Sequence, residues 1–220
     1  MKKILLTSII SFVLLGCDAD LETTVTMSQL DAEPSLVTGN LLIEVPICSD
    51  RQDSTKESST LIKTKKEITN LFKKVEYKEC YSKKMKSLAS FEIPILVGKD
   101  VSKSELLKQV DIVAAKYDTG IVAIAKQDFR QKLNQFKKNN VSNMNFKVTV
   151  SIVNDTDKEI DNFTLTKAYL NDEPYDNVNF SLSKNDKITV TLSDVSTQIL
   201  LSPTVNSNDE KGVTEIVGFK

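Results

Sequence analysis

The sequence predicts an α+β protein in two parts. Residues 39–140 form an N-terminal α+β domain with an antiparallel or mixed sheet and about three helices. Residues 143–220 form a C-terminal all-β, immunoglobulin-like sandwich. Three observations predict this. Apolar residues fall at helical spacing in stretches between 53 and 138, interrupted by short alternating runs. The helical patterns stop at Asn139-Asn140, which reads as a linker. From Asn143 onward strand follows strand, about six or seven of them in a span suited to a small antiparallel sandwich.

Taken in order, LETTVTM (21–27) and GNLLIEVPIC (39–48) read as strands, with Leu41, Ile43, Val45 and Ile47 alternating in the second. Residues 17–38 read as a tether and first strand. The period then changes over 53–75. Ser54 and Glu57 have capping-box spacing, and Leu61, Ile68, Leu71, Phe72 and Val75 share one helical face. VEYKECY (75–81) and SFEIPILV (90–97) return to a period of two. Pro94 lacks an amide proton and predicts an edge strand or a bulge. VSKSELLKQVDIVAAKYDTG predicts a helix that starts at a Ser102/Glu105 capping box and stops at Gly120. IVAIA (121–125) is a short strand. A helix near 128–138 carries Phe129, Leu133 and Phe136 about a turn apart.

In the C-terminal part Phe146, Val148, Val150 and Ile152 alternate, as do Val178, Phe180 and Leu182, then Ile188, Val190 and Leu192. The last two runs predict a hairpin turning around Lys184–Lys187, with an odd-length or bulged loop so that Leu182 and Ile188 face one side. FTLTKAYL, QILLSPTV and VTEIVGF supply further strands. The acidic stretch VNDTDKEID resembles a calcium loop only superficially. An EF-hand needs glycine at the sixth position and glutamate at the twelfth, where this chain has Ile160 and Thr166, so a solvated turn is expected.

The N-terminus begins Met1-Lys2-Lys3 and continues as an apolar run from Ile4 to Leu15. A bilayer-spanning helix needs about 20 apolar residues, so the run is too short for a permanent span and reads as a secretory signal over 1–16. Leu14-Leu15-Gly16-Cys17 resembles the lipobox of bacterial prolipoproteins. That resemblance implies cleavage between Gly16 and Cys17 and lipidation of the Cys17 thiol. The alternative is an ordinary secretory signal that contains a cysteine. Asp18 resembles the residue that retains lipoproteins at the inner membrane, facing the periplasm; the outer membrane is the alternative. One acyl chain holds only marginally, at about 0.8 kcal/mol per buried methylene, whereas two or three hold durably.

Overall charge is near neutral, −1, which disfavours nucleic acid as a partner. It is unevenly spread. Residues 63–86 hold nine lysines against three glutamates, a net of +6, while 143–220 hold seven lysines against twelve acids, a net of −5. Lys63, Lys65, Lys66, Lys73 and Lys74 are therefore candidates for contact with an anionic membrane surface, or else a solvated helix face. Cys48 and Cys80 remain after cleavage, and an exported chain with an even cysteine count favours a disulfide between them. The chain has no histidine, which excludes Ser-His-Asp and Cys-His catalysis and histidine-ligated metal sites. It has no tryptophan and no glycine-rich phosphate loop. No cofactor, metal or catalytic residue is called for, and the chain reads as a non-enzyme.

EVPICSDRQDSTKESSTLIK…LFKKVEYKECYSKKM, roughly 44–85, resembles small lipoproteins carried by bacteriophages and prophages of enteric bacteria. The features are Cys48-Ser49-Asp50, the serine-rich helix start and Glu79-Cys80-Tyr81 followed by lysines. The resemblance implies a cell-envelope protein of mobile-element origin. The leading expectation is a lipid-anchored binding or interference module that contacts another envelope protein. The alternative is a structural or assembly accessory acting at the membrane surface. A carboxylate-based hydrolase is a third reading and would show two acids about 5–10 Å apart in a cleft.

Overall fold

A computed structural model describes residues 18–139, 144–203 and 212–220. In chain order the elements are β1 (Asp18–Thr26), α1 (Met27–Asp31), β2 (Ser35–Val45), α2 (Ser59–Leu71), β3 (Glu76–Lys83) and β4 (Lys86–Gly98). Two 3-10 turns (Val101–Lys103 and Glu105–Gln109) precede β5 (Ile112–Tyr117), β6 (Gly120–Ala125) and α3 (Gln127–Asn139). Then come β7 (Asn145–Val153), β8 (Ile160–Leu170), β9 (Glu173–Leu182), β10 (Lys187–Leu192), α4 (Asp194–Leu201) and β11 (Val213–Phe219).

The strands form one closed nine-stranded barrel, in the order β10-β7-β1-β2-β4-β5-β6-β11-β8, with β8 pairing back to β10. β3 joins the ring beside β4, and β9 lies beside β8. The expected pair of domains, α+β followed by an immunoglobulin-like sandwich, is therefore incorrect. The pairing that overturns it joins the two presumed halves: β1 runs parallel to β7 along its whole length, Asp18 opposite Asn145 and Thr26 opposite Val153. An alternating strand shows which face it buries but not which strand lies beside it. A parallel partner this far along the chain leaves no local turn signal.

The barrel is filled rather than hollow. Leu21, Leu41, Phe91, Ile95, Val150 and Phe163 are buried in one continuous core. Gly39 belongs to this packing, because a Cβ there would come within 2.5 Å of Ile95 Cδ1. Outward positions of β1 and β7, such as Glu22, Thr24, Lys147 and Thr149, are polar, the reverse of a membrane-spanning barrel. No helix among the described residues is long and apolar enough to cross a membrane.

Several elements differ from expectation for identifiable reasons. The helix expected over 102–120 is instead two 3-10 turns followed by β5. Ile112 and Ala114 enter the main core, while Val113 and Ala115 join a second cluster with Leu96, Val101 and Val110 on the other face. A strand covered on both faces loses its alternation and imitates a buried helix. QILL is part of α4, whose Ser193 cap accepts from the Ser196 amide. No β9–β10 hairpin forms. β9 pairs with β8, and β10 lies between β7 and β8. The helix expected over 53–75 is α2, capped by Ser58 rather than by the Ser54/Glu57 box. α1 was not expected. Its Thr26/Gln29 capping box is legible in the sequence, but Thr26 falls inside the run 21–27 read as a strand.

Candidate functional site

Cys17 and Gly16 lie outside the described residues, and the chain becomes describable at Asp18, the first residue of β1. Within 17–38, read as a tether and first strand, the strand is present as β1, and the rest from Asp18 onward holds α1 and the start of β2 rather than a tether. The end where β1 starts is also where β2 finishes, where β7 begins and where β3 turns into β4. Lys86 Nζ donates to Asp18 Oδ2 at 3.0 Å and to Glu44 Oε2 at 2.6 Å. The bonds to Glu44 and Asp18 hold its ammonium above the usual lysine range. Lys137, in the last turn of α3, lies 5.4 Å from the Phe146 ring, and Phe146 is paired with Ala19.

Cys48 and Cys80 form a disulfide with Cα atoms 5.6 Å apart, joining the segment before α2 to β3. The Ser58 amide donates to Cys48 O and its hydroxyl to Ile47 O, so the start of α2 is fixed on the same segment. The five candidate lysines are engaged differently. Lys65 bonds Glu57 at 2.8 Å and lies over the Tyr77 ring. Lys63 faces Glu67, and Lys74 donates to Gln109. Lys73 bonds Asp128 at 2.8 Å while its amide donates to Asp111. Lys66 is exposed. Helical periodicity placed these lysines on α2 and just beyond it, but could not show that α3 brings Asp128 to Lys73.

Around Lys73 the sheet junction carries a small ionic cluster. Burial pushes the Asp111 carboxyl up, with the Lys73 amide and ammonium pulling the other way. Burial opposes charge on Lys73, but its hydrogen bonds and the charges of Asp128 and Asp111 together outweigh that and raise it. Burial and the neighbouring Lys73 lower Lys126. The cluster fastens the end of α2 to β5 and α3. It is a packing device in which each carboxylate meets Lys73.

A second surface feature was missed in the sequence. Across the outer face of β2, β1, β7 and β10, cross-strand partners form rows: Asn40, Glu22, Thr149 and Thr191 in one, and Thr24, Ser151 and Thr189 in the next. Thr149 and Thr191 hydroxyls are 3.0 Å apart, and those of Ser151 and Thr189 are 3.1 Å apart. The β8–β9 turn overhangs this face. Asn171 Oδ1 accepts from the Thr189 amide, and the Asn171 amide donates to Thr189 O, which fixes the turn over β10. Tyr169 and Asp172 thereby form one wall.

Two adjoining depressions of about 550 and 480 Å³ result, sharing Lys147, Asp172 and Thr191. The first reaches Asp18 and Asp194 at the end where β1 starts, and the second reaches Gln29 and Thr38. Asp20 lines the groove, its carboxyl raised by burial and held back by Lys147 opposite. Hydroxyls, amides and an excess of carboxylates over lysines offer hydrogen bonds to an extended polar chain of basic character. The available sequence signal was that Thr149, Ser151, Thr189 and Thr191 follow one another at outward positions of β7 and β10, after Lys147 and Lys187.

No curated protein and no solved structure matches the chain. A family model described as a domain of unknown function, DUF7424, matches residues 19–208, most of the barrel. The match begins within β1 and ends before β11. The chain belongs to the DUF7424 family.

Proposed function

We propose that the protein is a lipid-anchored envelope protein, attached through Cys17 and facing the periplasm from the inner membrane, that acts by binding another envelope protein. The observation that carries this reading is the hydroxyl-lined groove, built on four paired strands and walled by a fixed hairpin turn. A sheet surface of this kind is preorganised, so little ordering cost is added on binding. Its lower end adjoins Asp18, so a ligand lying in it is held close to the membrane. The partner chemistry that fits is an extended, polar and net basic segment.

A photo-cross-linking residue placed at Thr149 or Tyr169, and as a control at Lys108 on the opposite side, tests this in cells. One protein adduct from both groove positions, absent at Lys108 and lost on adding Thr191→Lys, is the expected result. Equal capture from all three positions would sink the groove as the binding surface.

A further inference from the structure

We infer that the β3–β4 turn, Lys83-Lys84-Met85-Lys86, docks on an anionic lipid surface beside the anchor and sets the barrel with this end down. The inference deepens the lipid-anchor reading of Cys17 and rests on it. Position comes first: Lys86 bonds Asp18, the residue that follows Cys17, so the turn lies where a lipid on Cys17 would enter the bilayer. Its chemistry comes second. Met85 is 104% exposed, an unbranched apolar side chain held wholly outside the protein, and Lys83 and Lys84 beside it are exposed. An apolar tip entering the headgroup boundary with lysine stems spread around it suits such a surface.

The backbone gives a third argument. Lys84 and Met85 both have positive φ, 47° and 65°. A two-residue hairpin turn needs this conformation and usually fills it with Asn-Gly. Lysine and methionine hold it at a conformational cost, which points to their side chains as the reason for their presence. Asp18 and Glu44 offset Lys86, which leaves Lys83 and Lys84 as the net attractive charges. Each lysine at such a surface changes the docked-to-free ratio roughly fivefold.

The chain contains no tryptophan, so Met85→Trp supplies a single tryptophan that can be excited selectively over the five tyrosines. The full chain, matured in a bacterial host, is reconstituted into vesicles of phosphatidylglycerol with phosphatidylcholine, and of phosphatidylcholine alone. Intact mass reports lipid on Cys17, and tryptophan emission with quenching by brominated acyl chains reports docking independently. Blue-shifted, quenched emission in the anionic vesicles is expected, with a docked-to-free ratio about 25-fold lower after Lys83→Gln and Lys84→Gln together. Water-like, unquenched emission on lipidated protein overturns the docking inference and leaves the anchor intact. A quenched tryptophan on protein without lipid at Cys17 overturns the anchor and leaves docking in place. Met85→Cys carrying an environment-sensitive dye repeats the measurement should the tryptophan disturb the turn.

Discussion

Ile152→Ala distinguishes one barrel from two separately folding halves. Ile152 is fully buried on β7, opposite Val25 of β1 and Ile188 of β10. The change removes three carbons, about 2.4 kcal/mol of transfer free energy at about 0.8 each. A residual cavity adds to this, because β7 is held on both edges and cannot collapse inward, giving about 3 kcal/mol in all. With a urea slope of roughly 2–3 kcal/mol per molar, the midpoint falls by about 1–1.5 M. Two reporters read the transition. One is Tyr77→Trp, beside Phe91 in the N-terminal half, and the other is Phe180→Trp, stacked on Phe163 in the C-terminal half. A closed barrel requires both curves to move together. A shift seen only by the Phe180→Trp reporter would mean an independent C-terminal domain and would refute the β1–β7 account.

Further predictions concern individual contacts. Replacing Cys48 and Cys80 by serine opens a cross-link between positions separated by 32 residues and should cost about 3.5–4 kcal/mol by the chain-entropy argument, read as a lower urea midpoint. Asp155 accepts from the Ser28 amide at 2.9 Å and from the Ser28 hydroxyl, satisfying a free donor at the start of α1. Burial works against its charge, but these bonds outweigh it and lower the carboxyl below its ordinary value of 3.8. Its contribution is therefore complete above that value and is lost as pH falls through the lowered folded-state value. Asp155→Asn should cost about 1 kcal/mol at neutral pH, discounted for exposure, with the difference from wild type shrinking in acid. Met85→Gly relieves a positive φ and should leave melting unchanged or stabilise by up to about 1 kcal/mol, since glycine adopts this conformation freely but orders at an entropic cost.

Local order was largely legible in the sequence. Leu61, Ile68 and Leu71 are buried along α2, and Phe129 and Leu133 along α3, as their spacing requires. The alternation of Leu41, Ile43 and Val45, and of Val148, Val150 and Ile152, marks true core faces. What could not be read was adjacency. β1 carries no signal for β7, and Val178–Leu182 followed by Ile188–Leu192 looks like a hairpin although another strand takes each edge. Pro94 was read more nearly correctly: it pairs with Thr38 of β2 on one edge, and on the other it falls between the last β3 partner, Glu92, and the first β5 partner, Ile95, a local edge position within an inner strand. The groove was hidden for a related reason. Thr149, Ser151, Thr189 and Thr191 become a surface only once β7 and β10 are neighbours and the β8–β9 turn closes over them. Charge counted along a helix also leaves out ion-pair partners outside the counted stretch, such as Glu57 just before α2 and Asp128 on α3.

The central claim is that the anchor immediately precedes the barrel, with no slack between lipid and β1. Intact-mass and N-terminal fragment analysis of the protein matured in an enteric host tests it most directly. The account predicts a mature chain beginning at Cys17, its thiol carrying diacylglycerol, with Asp18 already in the first strand. A mature chain cleaved elsewhere, or an unmodified Cys17, would contradict it.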